Sequence, residues 1–244
     1  SRLPQRRAER DDCKDDEIAE AVKRSMSTHD EHLFIMVSTN GFLNDMFFDK
    51  ALMEATNKKV RQILDISEND FVILYAPTYR DSSLKHSQFK NQLDIACIRQ
   101  AAQNKYGKTV KVLFRGHYFF TANNTQSFDS DLSSYPNMQE LLCMADMLIT
   151  DYSSSMWDFS FTDKPCLLYC PDIEEYIQKR GFYTDPDKWG FPVCKTNDDL
   201  ARNIISFDKN KYKQDIQKNH EYFGNYESGN AAQTICKIIM EKLQ

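Results

Sequence analysis

Residues 71–76 read Phe-Val-Ile-Leu-Tyr-Ala, and residues 147–150 read Met-Leu-Ile-Thr. Both are short, continuous apolar runs, which is typical of strands that are buried on both faces of a parallel sheet. Residues 110–115 and 166–169 form two more runs of this kind, and segments with the spacing of amphipathic helices lie between them. This alternation predicts right-handed βαβ units. We therefore expect an α/β fold with a Rossmann-like, doubly wound parallel sheet.

The remaining elements follow from the same patterns. Helices are predicted at residues 50–66, 89–106, 138–144, 153–161, 173–179, 197–205 (with Asn197 as its cap) and 228–243, and a short strand at 191–194. Residues 1–38 are charged and polar, so we expect a tail or linker helix there, followed by one domain at residues 39–244. Open parallel sheets bind ligands beyond the carboxyl ends of their strands. The loops after Ala76, Arg115 and Thr150 are therefore predicted to form the site.

Composition disfavours several classes of protein. A net charge of −5 disfavours nucleic acid as a partner, and no apolar run is as long as a membrane-spanning helix. The seven cysteines include no C-x-x-C pair, which disfavours structural zinc, and their odd number indicates reduced thiols in a cytoplasmic protein. Neither of the two common glycine-rich phosphate loops occurs, so a phosphate site must be built differently. The chain starts at Ser1 without a signal peptide, and we expect a processed or excised piece of a longer protein.

The first two predicted loops carry residues suited to phosphate. Thr78 and Arg80 follow the strand at residues 71–76, and an arginine can donate two parallel hydrogen bonds to a phosphate. Arg80 could equally pair with Asp81 beside it. His117 follows the second strand, where it could donate to a phosphate oxygen or protonate a leaving group near neutral pH. A purely structural role for this histidine is the alternative.

The third loop is the most informative, because a strand runs directly into Asp151, Tyr152 and three serines. The start of a helix has unpaired N–H groups and a partial positive charge, and serine hydroxyls add donors. Ser153 and Ser154 are therefore predicted to bind phosphate without any glycine. Ordinary N-capping by these serines is an alternative that is compatible with binding. Since all three loops lie at one edge of the predicted sheet, together they predict a ligand with a pyrophosphate group.

Two other motifs carry weaker predictions. Gly229 and Asn230 form a turn before the last predicted helix, whose start could bind a ligand or could simply be capped. Asp129 and Asp131 could hold a divalent metal, but they lie in a polar loop with no predicted strand before them. We therefore expect no metal site and no cofactor.

Several of these motifs together resemble those of a known family, the CDP-glycerol glycerophosphotransferases, which are teichoic-acid-type polymerases and primases. The residues that carry the resemblance are 71–81 (FVILYAPTYRD), 113–117 (LFRGH), 135–158 (YPNMQELLCMADMLITDYSSSMWD), 164–165, 176–183 (YIQKRGFY) and 229–231. The matches run in order from about residue 39 to the C-terminus. The combination of Y-A-P-T-x-R-D with I-T-D-Y-S-S is specific, whereas neither motif alone would be.

The resemblance implies a glycosyltransferase-B type fold of two Rossmann-like halves, with this chain as the carboxyl-terminal half that binds a CDP donor. It implies that the turn at residues 135–137 borders the cytosine, that the serines hold the pyrophosphate, and that Arg80 and His117 neutralise charge on the transferred phosphate and the departing CMP. The residues implied in substrate binding are Thr78, Arg80, Tyr135, Pro136, Asn137, Asp151, Ser153, Ser154 and Gly229, and His117 is the implied catalytic residue.

The implied activity is transfer of glycerol phosphate, or of ribitol phosphate, from a CDP-alditol to a cell-surface polymer such as teichoic acid or capsule. The implied partners are CDP-glycerol or CDP-ribitol and a polymer or lipid-linked acceptor. The intact enzyme would be cytoplasmic and peripheral at the inner face of the cell membrane, which it would contact through parts outside this chain. A nucleotide-sugar glycosyltransferase and a non-catalytic module that binds a CDP ligand stay open as alternatives, because fold does not fix function.

The sequence departs from the family pattern in two places. Family members carry a G-x-P-R-N-D run before the first strand of this half, whereas residues 41–45 read Gly-Phe-Leu-Asn-Asp and lack its arginine. The family's amino-terminal half supplies an acceptor-side histidine thought to act as general base, and residues 1–38 leave no room for that half. We therefore expect the isolated chain to bind the donor without turning it over.

Overall fold

The computed structural model describes residues 44–78, 93–116, 127–182, 184–225 and 227–242. The strands in these ranges are β1 (Phe71–Tyr75), β2 (Val110–Phe114), β3 (Ser130–Asp131), β4 (Met147–Thr150), β5 (Cys166–Tyr169) and β6 (Val193–Cys194). The helices are α1 (Lys50–Ile63), α2 (Ile95–Tyr106), α3 (Met138–Met144), α4 (Ser155–Ser160), α5 (Ile173–Lys179), α6 (Asn197–Ile205), α7 (Lys209–Phe223) and α8 (Ala231–Lys242). Two short 3-10 helices cover Asp45–Phe48 and Pro186–Lys188.

The chain divides into two compact units. Of the described residues, those between 50 and 225 form one unit, and residues 44–49 and 227–242 belong to the other. The larger unit contains all of the described strands, in a single parallel sheet with the order β3-β2-β1-β4-β5-β6. This is the strand order of the dinucleotide-binding Rossmann fold, in which the direction of chain progress across the sheet reverses between β1 and β4. The prediction of a doubly wound parallel sheet is confirmed.

Helices cover both faces of this sheet. Because successive side chains of a strand point to opposite faces, Phe71, Ile73 and Tyr75 of β1 pack on one face, in a core shared with α2 and α6. Val72 and Leu74 are fully buried on the other face, where α1 and α3 pack against each other. Every residue of β1, β4 and β5 is buried, as their continuous apolar sequences predict.

Polar contacts fix the amino-terminal end of the sheet. Arg61 of α1 is buried, and its guanidinium forms an ion pair with Asp146 at 2.7 Å. The same carboxylate accepts a hydrogen bond from the Val72 N–H at 2.8 Å. Lys164 donates to two carbonyls at the end of α3, at 2.8 and 2.7 Å, where the helix dipole favours a cation. Burial lowers the pKa of this lysine. These contacts hold α1 and α3 at the amino-terminal ends of the strands, opposite the carboxyl ends where the site is predicted.

The structure corrects several predicted boundaries. The helix predicted at residues 153–161 begins only at Ser155, and α8 begins at residue 231 instead of 228. Thr196, not Asn197, caps α6, because its hydroxyl accepts a hydrogen bond from the Asp199 N–H at 3.1 Å. The sequence analysis missed α7 and β3 entirely. The predicted tail at residues 1–38 and the predicted helix start at residues 89–92 lie outside the described residues.

Two further expectations from the sequence concern the cysteines and the membrane. The six cysteines in the described ranges are free thiols, as predicted. Among the helices described, none has both the length and the apolar character that crossing a bilayer requires.

Candidate functional site

One pair of side chains joins the carboxyl ends of β1 and β4. The Thr78 N–H donates to both carboxylate oxygens of Asp151, at 2.9 and 3.1 Å, and the Thr78 hydroxyl donates a short hydrogen bond to the same carboxylate. Beside this pair, the Thr150 hydroxyl donates to the Ala76 carbonyl at 2.6 Å. Asp151 is only 2% exposed, so these bonds are shielded from water. The two loops therefore form a single unit where the sheet reverses, which is where this fold binds its ligands.

The serines that follow Asp151 do not form the open helix start that the sequence predicts. Ser154 is exposed, lies just before α4 with φ −59° and ψ −19°, and makes no side-chain capping bond. The N–H groups of Met156 and Trp157 donate to the carbonyls of Ser153 (3.2 Å) and Ser154 (3.0 Å). The N–H groups of Ser153 and Ser154 find no acceptor in the part of the chain that the structure describes. A phosphate would therefore meet these two N–H groups and the Ser154 hydroxyl.

Tyr152 ties this loop to the next one along the sheet. Its hydroxyl donates to Asp172 at 3.0 Å, and its ring stacks on Tyr176 with 4.0 Å between ring centroids. The ring of Phe182 lies 5.2 Å from the Tyr152 ring. The sequence analysis assigned no role to Tyr152, although it lies in the D-Y-S-S run and its stacking partner Tyr176 belongs to the Y-I-Q-K-R-G-F-Y motif. Tyr152 therefore holds the serine loop in a fixed position relative to α5.

The end of β2 is attached to the turn that leads into residues 135–137, which the family resemblance assigns to the cytosine. The Arg115 guanidinium donates to the carbonyls of Leu132 (2.9 Å), Ser133 (3.4 Å) and Tyr135 (2.7 Å), all through Nη1. The Gly116 N–H donates to the Ser133 hydroxyl at 2.9 Å. Burial lowers the pKa of the Arg115 guanidinium. The turn at residues 132–135 therefore lies against the carboxyl edge of the sheet.

Tyr135, Pro136 and Asn137 form the entry to α3. The Tyr135 hydroxyl donates to Glu140 at 2.6 Å, and the Asn137 side chain accepts from the Glu140 N–H at 3.2 Å. Burial, and then the bond to Glu140, raise the pKa of the Tyr135 phenol. Pro136 is exposed, and within the described ranges neither its carbonyl nor the Asn137 N–H has a hydrogen-bond partner. These two backbone groups are the ones that a base could contact.

Gly229 belongs to the smaller of the two units, and its close packing against Phe48 explains why a glycine stands there. Its φ is +77°, and a Cβ there would lie 2.6 Å from the Cβ of Phe48. Two N–H groups at the start of α8, those of Ala231 and Ala232, donate to the Asp45 carboxylate at 2.9 Å each. The start of α8 is therefore capped, which is one of the two alternatives that the sequence analysis left open for it. A role for Gly229 in substrate binding stays a prediction.

The other sequence candidates are either structural or not described. Arg80 and His117 lie outside the described residues. Asp129 pairs with Arg99 at 2.9 Å, and Asp131 belongs to β3, although no strand was predicted there. The described residues contain no group of three or more His, Cys, Asp or Glu side chains that could hold a metal ion. A cavity of about 720 Å³ lies among α6, α7 and the segment before β6, and none of the predicted site residues lines it.

Comparison with known proteins shows the family. The sequence profile of "CDP-Glycerol:Poly(glycerophosphate) glycerophosphotransferase" matches residues 37–241, a range that includes all of the predicted site residues. This chain belongs to that family. The resemblance noted from the sequence motifs is confirmed.

Relatives in this family act on teichoic acids. The chain is 30% identical over 237 residues to a teichoic acid poly(glycerol phosphate) polymerase of Bacillus subtilis (strain 168), covering 84% of this chain and 31% of that protein. It is 31% identical over 191 residues to a teichoic acid glycerol-phosphate transferase of Staphylococcus aureus (strain NCTC 8325 / PS 47), covering 75% and 48%. A teichoic acid poly(ribitol-phosphate) polymerase of Bacillus spizizenii (strain ATCC 23059 / NRRL B-14472 / W23) is 27% identical over 211 residues, covering 84% and 33%. The chain thus spans about a third to a half of the length of these relatives.

Solved structures of the wall teichoic acid polymerase TagF share this fold. One TagF variant superposes with a TM-score of 0.66 and 26% identity, covering 82% of this chain and 50% of that one. Another, soaked with CDPG, gives a TM-score of 0.62 and 25% identity, covering 83% and 50%. The predicted fold class, a Rossmann-like sheet of a glycosyltransferase-B type architecture, is confirmed.

Proposed function

We propose that this chain binds the CDP-alditol donor in an enzyme that transfers glycerol phosphate, or ribitol phosphate, to a teichoic-acid-type polymer. The observation that carries the proposal is the joined pair of loops after β1 and β4, which places Ser153 and Ser154 at the reversal point of the sheet. The family match and relatives named for both glycerol phosphate and ribitol phosphate support it.

The serine loop suits the diphosphate of the donor. Backbone N–H groups are good donors to phosphate oxygens, and those of Ser153 and Ser154 have no acceptor in the described structure. The Ser154 side chain is exposed, so its hydroxyl can add one donor. We assign the diphosphate to these groups and the cytosine to the backbone of Pro136 and Asn137.

Asp151 is better suited to positioning than to contact with the donor. A carboxylate beside a diphosphate would repel it, but the oxygens of Asp151 accept hydrogen bonds from Thr78 and from the Tyr152 N–H (2.6 Å). Its negative charge is thereby compensated by protein donors. We propose that Asp151 and Thr78 fix the loop that leads to Arg80, and that neither needs to touch the phosphates.

In the chemical step of this proposal, an acceptor hydroxyl gives up its proton to a base and attacks the phosphorus that carries the alditol. A new O–P bond forms, the phosphoanhydride bond breaks, and CMP leaves. Positioning and charge stabilisation dominate such transfers. His117 follows Gly116 at the end of β2, and Arg80 follows the fixed Thr78 by two residues. We propose that these two residues neutralise the charge that develops on the transferred phosphate and on CMP.

Calorimetry with this chain tests donor binding. We expect CDP-glycerol and CDP-ribitol to bind more tightly than a UDP-sugar, and a preference for the UDP-sugar would favour a nucleotide-sugar glycosyltransferase. Release of CMP by the protein at its natural length, supplied with a glycerol phosphate polymer, tests transfer. Tight binding of CDP-alditol without CMP release would favour a non-catalytic binding module.

Variants of Ser154 test the phosphate contact. Ser154→Ala removes one hydroxyl, and we expect CDP-glycerol affinity to fall by about threefold to tenfold, because one hydrogen bond is worth about 1 kcal/mol. Ser154→Pro fits the observed φ of −59° but removes the N–H, so we expect a clearly larger loss than for alanine. Ser206→Ala, at the end of α6, is the matched control. Equal affinity of the alanine and proline variants would contradict a role for this N–H.

The acceptor and the location of the enzyme are part of the same proposal. We propose a polymer or lipid-linked acceptor and a cytoplasmic enzyme that contacts the inner face of the cell membrane through parts outside this chain. Co-sedimentation with membrane vesicles should therefore be strong for the protein at its natural length and weak for this chain. Equal sedimentation of both would contradict this assignment.

A further inference from the structure

Arg115 differs from the other partly or fully buried arginines that the structure describes. Arg61 pairs with Asp146, and Arg99 pairs with Asp129. Arg115 is half-buried, yet in the described ranges it forms no ion pair, and its side chain donates hydrogen bonds only to backbone carbonyls. Its positive charge is therefore not compensated by a carboxylate of the described residues.

All three carbonyl contacts of Arg115 are made by the same nitrogen, Nη1. A guanidinium has five N–H donors in a fixed plane. The donors on Nε and Nη2 have no acceptor in the part of the chain that is described. An arginine held in this way keeps both its charge and its remaining donors for a ligand.

Arg115 also lies at the carboxyl ends of the strands, where the donor is proposed to bind. Its N–H donates to the Tyr75 carbonyl at 2.9 Å, so its backbone lies beside the last residue of β1. β1 is followed by the loop that Asp151 fixes through Thr78. The third carbonyl that Arg115 binds belongs to Tyr135, at the entry to the turn assigned to the cytosine. One side chain therefore connects the proposed base-binding turn to the strand edge where the phosphates are proposed to lie.

We propose that Arg115 is a donor-binding residue, which holds the turn at residues 132–137 in place through Nη1 and offers its remaining donors and its positive charge to the donor diphosphate. This inference rests on the proposed function. It assigns the arginine of the R-G-H run to donor binding, in addition to the histidine beside it.

Arg115→Gln removes the charge but keeps an amide donor, and Arg99→Gln is the matched control. Arg99 donates to the carbonyl of Val110, the first residue of β2, whereas Arg115 follows the last residue of that strand. By calorimetry we expect Arg115→Gln to weaken CDP-glycerol binding by about tenfold to a hundredfold, the range of a lost charge-assisted hydrogen bond. Arg99→Gln should bind within about twofold of the unsubstituted chain.

The salt dependence of CDP-glycerol affinity shows whether an Arg115 variant loses a charge contact with the donor or has a structural defect. Loss of one cation that contacts phosphate should make CDP-glycerol affinity less sensitive to salt, which a merely structural defect would not do. Arg115→Lys should keep this salt sensitivity and bind CDP-glycerol with intermediate affinity, and it serves as the informative variant if Arg115→Gln does not fold. Unchanged affinity of Arg115→Gln, or an unchanged salt dependence, would overturn the inference. Failure of the unsubstituted chain to bind CDP-glycerol would instead refute the proposed function, and this inference with it.

Discussion

Replacement of Asp151 by asparagine tests whether its carboxylate holds the loops after β1 and β4 together. The carboxylate accepts hydrogen bonds from the Thr78 N–H, the Thr78 hydroxyl and the Tyr152 N–H, and it is almost completely buried. Asparagine keeps one acceptor oxygen and turns an NH2 group towards at least one of these donors. Because all three donors reach Oδ1, an asparagine oxygen in that position keeps these bonds without the help of a negative charge. The variant also loses the 3.1 Å contact of the Thr78 N–H with Oδ2 and places an NH2 group against that N–H.

The expected cost follows from these contacts. A hydrogen bond to a charged group contributes about 1.5–3 kcal/mol and a neutral one about 1 kcal/mol, so loss of the charge from three bonds should lower the free energy of unfolding by about 3 kcal/mol. In a domain of this size, that loss corresponds to a fall in Tm of about 6–12 °C. Thr78→Val removes the hydroxyl that donates to this carboxylate and should cost about 1.5–3 kcal/mol. The cost of the double variant should be smaller than the sum of the two, because both changes act on one interaction.

Urea unfolding followed by tryptophan fluorescence measures this loss, since both tryptophans, Trp157 and Trp189, lie in the unit formed by residues 50–225. Asp163→Asn is the matched control. Asp163 is exposed, pairs with Lys213 at 2.6 Å, and has a φ of +57° that asparagine accepts, so its replacement should cost less than about 0.5 kcal/mol. If Asp151→Asn unfolds at the same urea concentration as this control, the carboxylate does not hold the loops.

Three further predictions concern other parts of the chain. Gly229→Ala should destabilise the chain by about 1 kcal/mol more than Gly107→Ala, as measured by thermal unfolding, because both residues have positive φ but only the first would bring a Cβ against Phe48. Asp45→Ala removes the cap of α8 and should lower the free energy of unfolding by about 1–2 kcal/mol, whereas Asp45→Asn should restore most of it; equal urea midpoints for the two would contradict the capping role. Burial lowers the pKa of His220 from its usual 6.5, so the unfolded chain takes up this proton first and stability should fall as the pH decreases below about 6.5. His220→Phe should weaken this dependence in urea midpoints compared at about pH 7.5 and about pH 5.5, and an identical dependence would refute it.

The apolar strands were predictable because burial on both faces leaves a continuous signal in the sequence. α7 was missed because its side chains are mostly charged or polar, and only Tyr212, Ile216 and Asn219 are buried. Its limits were nevertheless visible, since Asp208 caps its start and Gly224 ends it with a positive φ. β3 has two residues, both exposed, so no hydrophobic pattern could reveal it.

The sequence identified the loops of the site but not how they are held. Thr78 and Asp151 are 73 residues apart, and their contact depends on β1 and β4 being neighbours in the sheet. Apolar runs predict strands, but not which strands pair. The start of α4 was placed too early because a run of serines is compatible with a turn and with a helix start alike. The contacts of Arg115 with the turn at residues 132–135 were equally out of reach, because they are made with carbonyls, which every residue has.

The sheet ends on both sides in very short strands, Ser130–Asp131 and Val193–Cys194. Unpaired strand edges are the usual points at which chains add to one another and aggregate. With two residues on each side, the described part of the sheet offers a further chain hardly any ladder to extend, and the exposed Asp131 would oppose pairing with a copy of itself. Self-association of this chain at high concentration should therefore proceed through its helices and not by extension of its sheet.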